Sequence, residues 1–302
     1  MSNQSMYSKG FWNTMRTQEE YYSEMSNMKD STGSYPAPFE FMSNYKPALE
    51  KENLFRRIAT VVKTTSPEGK IIASASTGAA DWVGESVAIP ESNDTIIQFT
   101  LHSYKLASLT RIKHTFVTDN KFDIEKYLRK DFARRFGRAE ENAFINGDGI
   151  MSPTGILHST EGAEVGVTTA ESNAITYDEV VKLFFSLDKH YRKNAVWIVN
   201  DETALYLRTL KDGNGNYLWN HSDNTILGKP VEYSPYMPSI ESGKKAIAFG
   251  DFSFFWIVDR QDLSVKVLKE KYILEGQIGY AAYERLDAKL IAKEAVKVLK
   301  LA

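Results

Sequence analysis

The longest regular hydrophobic pattern in the chain runs over residues 122–145. Apolar side chains recur there at spacings of three and four, which predicts one amphipathic helix about 35 Å long. Asp119, Asn120 or Asp123 can cap its start, and we expect Gly147 to end it in the left-handed conformation. The apolar stripe consists of Tyr127, Leu128, Phe132, Phe136, Ala139 and Ala143, and the charged residues Arg129, Lys130, Arg134, Arg138, Glu140 and Glu141 occupy the other positions.

An alternating pattern precedes this helix. Residues 95–117 alternate between apolar and polar side chains, which predicts β-structure. Together with a strand-like run at 71–75, they suggest a long two-stranded excursion with a loop at its tip. Such a pair of strands is at best marginally stable alone and exposes unpaired edges. The excursion therefore needs cover from its own body or from a neighbour.

The N-terminal region is polar and rich in methionine. Phe11, Met15 and Tyr22 fit one face of a short helix. Residues 34–47 hold several prolines, which favour extended chain. We interpret them as an extended arm, with a disordered tail as the alternative. Residues 54–64 predict a short helix or strand that joins this arm to the body.

The second half of the chain predicts an α/β unit followed by strands. Thr176 and Glu179 form a capping-box pattern at the start of a helix. A buried strand follows at 195–199, and Asn200 or Asp201 is predicted to cap the next helix. Residues 150–174 are predicted to be loop. Further strands are predicted at 217–219, 231–233, 246–249, 254–258, 263–268, 279–291 (with helix as the alternative) and 296–301.

Composition narrows the class of protein. The 302 residues suffice for about two domains, and 42% hydrophobic with 25% charged residues is ordinary for a soluble globular protein. The chain has no cysteine, which excludes disulfides and thiolate-bound metals. The net charge is −2 without a basic stripe, which argues against tight nucleic-acid binding. We find no apolar run that could span a membrane and no signal peptide.

Candidate ligand sites fail on inspection. Asp212, Asn214, Asn216 and Asp223 imitate a calcium loop, but Tyr217 stands where the sharp bend needs glycine, so a hairpin tip is favoured. The glycines at 147, 149 and 155 follow a helix, and the dipole at a helix C-terminus repels phosphate. The five histidines lack metal-ligand spacing. The basic run at 129–138 fits the solvated face of a helix. We predict no catalytic residue, no metal and no cofactor.

Five motifs, in chain order, resemble the major capsid proteins of tailed phages, which have the Hong Kong 97-type fold. They cover the chain from about residue 34 to its end. The motifs are Trp82-Val-Gly-Glu85 with Pro90-Glu-Ser-Asn-Asp94, Glu141-Asn-Ala-Phe-Ile-Asn-Gly-Asp-Gly149, Leu210-Lys-Asp-Gly-Asn-Gly-Asn-Tyr-Leu-Trp219 with Leu227-Gly-Lys-Pro-Val231, Phe249-Gly-Asp-Phe252, and Glu284-Arg-Leu286.

The resemblance implies an α+β fold in several parts. A spine helix at 122–145 and a glycine loop belong to the peripheral domain. The implied parts are an N-terminal segment (1–33), an N-terminal arm (34–64), an extended β-hairpin called the E-loop (65–100), the peripheral domain (101–174 and 259–302) and an α/β axial domain (175–258).

The resemblance also implies function. Such chains assemble as hexamers and pentamers into an icosahedral shell around double-stranded DNA, in the host cytoplasm and then in the virion. Implied partners are further copies of the chain, a portal, a separate scaffolding protein and DNA bound without sequence specificity, with no membrane. The predicted subunit contacts are Phe39, Phe41, Trp82, Glu85, Pro90, Tyr217 and Trp219.

Two departures from the family pattern change these expectations. Some relatives crosslink a lysine to an asparagine with the help of a glutamate. In this chain the position of the lysine is taken by Ile89, and the position of the asparagine falls near Gln277. Glu284 fits the glutamate, but without the lysine and the asparagine we predict no crosslink. Few residues precede the arm, whereas many relatives begin with a scaffolding domain. We therefore expect scaffolding by a separate protein.

Two other functions stay open at this point. An encapsulin-like cellular compartment would keep the fold and load enzyme cargo. A soluble α/β enzyme with an unrecognised site would instead be a monomer or small oligomer with one deep polar pocket.

Overall fold

The structure is a computed structural model that describes residues 3–16, 33–64, 70–74, 82–83, 96–118, 122–211, 214–217, 219 and 224–302. The helices are α1 (Asn3–Met15), α2 (Phe39–Glu52), α3 (Phe55–Ile58), α4 (His114–Thr118), α5 (Ile124–Asn146), α6 (Tyr177–Ser186), α7 (Lys189–Arg192) and α8 (Asp201–Thr209). The strands are β1 (Tyr35–Pro36), β2 (Thr60–Lys63), β3 (Lys70–Ser74), β4 (Ile96–Thr100), β5 (Tyr104–Lys113), β6 (Glu164–Thr168), β7 (Val196–Val199), β8 (Thr225–Ile226), β9 (Lys229–Tyr233), β10 (Lys245–Gly250), β11 (Phe255–Leu268), β12 (Gln277–Leu290) and β13 (Val296–Lys300).

Two long strands dominate the first sheet. β11 and β12 pair antiparallel from Phe255↔Leu290 to Leu268↔Gly279. β5 extends the sheet beyond β12, while β1 and β2 both pair with β11. The stripe of α5 that carries Leu128 and Phe132 shares one core with Leu263 of this sheet. The core is continued by α1 and α2, which contribute Phe11 and Phe41 among others.

The second sheet is mixed, in the order β6-β13-β10-β7-β9-β8. Trp197 of β7 stacks on Phe249 of β10 with ring centroids 4.0 Å apart. Side chains of α6 and α8 cover this sheet within a separate core. A third, two-stranded sheet consists of β3 and β4, which pair antiparallel from Lys70↔Thr100 to Ser74↔Ile96.

Helix starts follow the local signals. The Asp123 carboxylate caps α5 by accepting the N–H of Lys126 at 2.9 Å. Thr176 and Glu179 form the predicted capping box at α6, and Asn200 caps α8. These three caps and the predicted strands at β7, β12 and β13 are confirmed.

The N-terminal arm is not extended along its length as predicted. Within residues 34–47, the two-residue strand β1 is followed by the start of α2, which contains Pro47. Phe41, Tyr45 and Leu49 lie four residues apart and are buried together. Because burial of each such side chain stabilises by about 1.5–3 kcal/mol, the apolar stripe outweighs the cost of an internal proline. Residue 22 of the predicted N-terminal helix lies outside the described residues, whereas Phe11 and Met15 lie in α1.

The strands are divided between the sheets differently from the predicted domains. The boundary expected after residue 258 falls inside β11, which is one continuous strand of the first sheet. β13, expected in the peripheral domain, pairs with β10 in the second sheet. β6 lies within the predicted loop 150–174 and pairs in parallel with β13. The second sheet thus takes strands from three separate parts of the chain.

Among the residues the structure describes, no helix is long and apolar enough to cross a membrane. The same residues bring together no group of three or more histidines and carboxylates that could hold a metal.

Candidate subunit-contact surfaces

The hairpin of β3 and β4 carries one of the predicted contacts. Within the described part of the chain, these two strands pair only with each other. Trp82, on the connection between them, is fully exposed, and its neighbour Val83 is exposed as well. Glu85, Pro90 and the crosslink position Ile89 lie outside the described residues.

Two of the other predicted contacts are exposed and two are buried. Phe39, at the start of α2, is 72% exposed, whereas Phe41 is 2% exposed. Tyr217 is half-exposed, with the Lys211 amine 4.8 Å from its ring centroid. Trp219 is buried within the core of the second sheet. The prediction of Phe41 and Trp219 as subunit contacts is therefore corrected, because both side chains pack inside their own chain.

The end of α5 is shaped by close backbone contacts. Gly147 adopts an extended conformation (φ −61°, ψ 148°), so the predicted left-handed ending is wrong. Glycine is needed here for space, because a Cβ atom would lie 1.9 Å from the Pro153 carbonyl oxygen. The returning chain binds the helix end, with the Ile156 N–H donating to the Phe144 carbonyl at 2.8 Å.

Asp148 organises the tip of this loop. Its Oδ1 accepts the N–H groups of Ile150 and Met151, both at 3.0 Å, and the N–H of Ser152 at 3.2 Å. These hydrogen bonds lower the pKa of Asp148 to about 2. Ile150 and Met151 are exposed at the tip. The tight turn thereby presents two apolar side chains to solvent, a feature that the spacing of residues in the sequence does not predict.

A pocket of about 290 Å³ lies between this loop, the last turns of α5 and β5. The Tyr104 hydroxyl closes one side by donating to the Gly149 carbonyl at 2.7 Å. The lining residues are Tyr104, Lys105, Leu106, Ala139, Glu140, Asn142, Ala143, Phe144, Asn146, Gly147, Met151, Ser152, Pro153 and Leu286.

A buried charge cluster lies beneath the pocket. Arg56 of α3 binds Glu140 of α5 and Asp259 of β11. Glu140 and Glu141, which lie outside the predicted apolar stripe, are both buried. Glu141 accepts the Leu54 N–H at 3.0 Å and the Ser234 hydroxyl at 2.5 Å. Glu140 lies four residues after Phe136, which lies four residues after Phe132. This spacing places Glu140 on the buried face of α5.

Glu284 belongs to the same cluster. Its carboxyl accepts the Tyr45 hydroxyl at 3.5 Å. Burial, and then the neighbouring charge of Glu140, raise the pKa of Glu284 well above its usual range. Gln277, at the predicted asparagine place, lies seven positions earlier on the same strand. Side chains alternate along a strand, so Gln277 and Glu284 point to opposite faces of β12.

A long helix on a sheet of long strands, a second α/β sheet and an outlying two-stranded hairpin define the class of Hong Kong 97-type capsid proteins. Residues 33–301 match the model of the phage capsid family. The chain belongs to this family, and it is a major capsid protein of a virion shell.

Solved structures show the same likeness. The capsid of the native GTA particle is 31% identical, with a TM-score of 0.70, and the match covers 82% of this chain and 89% of that chain. The capsid of the empty GTA particle is 30% identical at a TM-score of 0.68, with coverage of 82% and 89%. The protein of Microbacterium phage Oxtober96, 16% identical at a TM-score of 0.62 with coverage of 83% and 91%, supports the fold alone. No curated protein matches the chain.

Proposed function

We propose that copies of this chain assemble as hexamers and pentamers into the icosahedral head shell that encloses the double-stranded DNA of a tailed phage. Membership of the phage capsid family over residues 33–301 carries the proposal. The second sheet, in the order β6-β13-β10-β7-β9-β8, would surround the capsomer axes, and the first sheet with α5 would lie at the periphery. The role is structural and non-enzymatic.

The hairpin of β3 and β4 gives a physical reason for assembly. β3 and β4 pair with no third strand among the described residues, and a lone pair of strands is marginal in water. A neighbour that covers the hairpin would bury apolar area at about 25 cal/mol per Å². Specific interfaces bury about 1,600 Å² in total, and heterologous contacts of this kind close into rings.

Further partners follow from the family resemblance. We propose a separate scaffolding protein, a portal, and packaged DNA held without sequence-specific contacts. The net charge of −2 suits such packaging, because a strongly basic lining would retain the genome by binding its phosphates. Assembly would take place in the host cytoplasm.

Light scattering and negative-stain microscopy of the purified full chain, followed over a concentration series, test this function. We expect capsomers or closed shells. A stable monomer under all conditions would refute the proposal and favour the soluble-enzyme alternative. Shells that copurify with an enzyme cargo rather than with DNA would favour the encapsulin-like alternative.

A further inference from the structure

Trp82 is the most exposed of the large hydrophobic side chains in the described residues. Single exposed apolar residues are common on protein surfaces. Trp82 is a different case, because its hairpin pairs with no third strand among the described residues. Tryptophan is also enriched among the few residues that dominate interface energetics. The exposed Val83 beside it widens the apolar surface.

The pocket beside the glycine loop is a receptor of suitable size. An apolar cavity of about 150 Å³ accepts benzene, so the 290 Å³ here leaves room for a bicyclic indole. Leu106, Ala139 and Ala143 give it accessible apolar walls, and the exposed Met151 also lines it.

The pocket also offers a hydrogen-bond acceptor. A buried indole N–H needs a partner. Asn142 lines the pocket, and its Oδ1 accepts one hydrogen bond, from Asn146 Nδ2 at 3.1 Å. An amide oxygen has two lone pairs, so Oδ1 can accept a second hydrogen bond from an indole.

We propose that Trp82 of one copy inserts into this pocket of a neighbouring copy. The occupant is a second copy because the tryptophan of the same chain is fully exposed rather than seated in its own pocket. The inference rests on the proposed shell assembly and adds to it the anchoring residue and the site that receives it.

The first experiment measures association of the full chain by light scattering over a concentration series. Trp82→Ala removes the anchor, and Ala139→Trp fills the pocket from an exposed position on its lining. We expect either change to weaken association about 10- to 100-fold. Trp82→Phe, which keeps an aromatic ring, should weaken association less. Thermal unfolding of the unassembled Trp82→Ala chain should match the wild type, because Trp82 makes no contribution to its own core.

The second experiment uses the absence of cysteine from the chain. The double variant Val83→Cys with Met151→Cys keeps Trp82 and should form disulfide-linked multimers in assembled particles, visible on a non-reducing gel. The matched control, Val83→Cys with Leu274→Cys, pairs the same position with an exposed residue in the connection between β11 and β12 and should stay monomeric on the gel.

The outcomes separate the two proposals. Shells without the link between positions 83 and 151, or with equal linking in the control, overturn the inference and leave the proposed function standing. Unchanged association in Trp82→Ala overturns it as well. Failure of the wild type to assemble at all overturns both.

Discussion

The Arg56 guanidinium holds the Glu140 carboxylate through two hydrogen bonds, 2.9 Å from Nε to Oε2 and 2.5 Å from Nη2 to Oε1. A third bond, 2.9 Å from Nη1 to Oδ2, reaches Asp259. The side chains of Arg56 and Glu140 are 7% and 0% exposed. One arginine thus ties α3, α5 and β11 together where the spine helix meets the first sheet.

Arg56→Ala should destabilise the fold strongly. The change leaves the buried Glu140 and the half-buried Asp259 without their cation, and breaking a buried pair typically costs about 3–5 kcal/mol. We expect a loss of this size in the free energy of unfolding, measured by urea denaturation of the unassembled chain.

The adjacent residue provides the control. Arg57 pairs with Glu232 at 2.9 Å, but the two side chains are 50% and 30% exposed. Solvent screens such a pair, so Arg57→Ala should cost less than about 1 kcal/mol. Equal losses in the two variants would contradict the assignment of Arg56 as the central cation of a buried cluster.

Glu284→Gln should alter the pH dependence of stability. Burial, and then the charge of Glu140, raise the pKa of Glu284 in the folded chain. A carboxyl with a raised folded pKa stabilises below its unfolded pKa of about 4.3, and this contribution is lost as the pH rises through the folded pKa. The glutamine variant keeps a neutral side chain throughout. Its free energy of unfolding should therefore decline less than that of the wild type from about pH 5 to about pH 8.

The measurement is a series of urea denaturations across this range. A matched variant is Asp178→Asn, which replaces an acid in the first turn of α6, away from the cluster. Between these pH values, the free energy of unfolding of Asp178→Asn should change with pH about as much as that of the wild type. Superimposable pH profiles for wild type and Glu284→Gln would show that Glu284 titrates normally.

Gly147→Ala should disrupt the end of α5. The new Cβ would lie 1.9 Å from the Pro153 carbonyl oxygen and 2.4 Å from that of Ala143, and neither backbone atom can move freely. We expect a loss of about 3 kcal/mol or more by urea denaturation. At Gly228, where φ is +72° and nothing lies near the added atom, alanine should cost only about 1–2 kcal/mol. A larger loss at Gly228 than at Gly147 would contradict the steric argument.

Much of the secondary structure can be predicted from contacts between residues close in sequence. Asp123, Thr176 and Asn200 cap helices by contacts that span three residues, and such spacings are visible in a sequence. The long apolar stripe of α5 was visible for the same reason.

The ion pairs of the charge cluster join residues too far apart in sequence for spacing to predict them. Glu140 continues the four-residue spacing of Phe132 and Phe136, but its partner Arg56 lies 84 positions away. The prolines of the arm favour extended chain, whereas burial of Phe41 and Tyr45 against a core of distant residues stabilises a helix. In each case a contact remote in sequence overrides a local preference, and only the folded chain shows it.

Phe41 packs inside its own chain, whereas Phe39 is exposed and is a proposed contact between copies. Phe41 is 2% exposed and packs on the rings of Trp12 and Tyr45, at centroid distances of 5.5 Å and 6.0 Å. Phe41→Ala should therefore lower the free energy of unfolding of the unassembled chain by about 3–5 kcal/mol.

Phe39, two residues earlier and 72% exposed, should behave in the opposite way. Phe39→Ala removes no core contact, so unfolding should change by less than about 0.5 kcal/mol. If a neighbouring copy covers this ring, the same substitution should raise the concentration at which light scattering first detects assemblies. An unchanged assembly threshold would remove Phe39 from the subunit contacts.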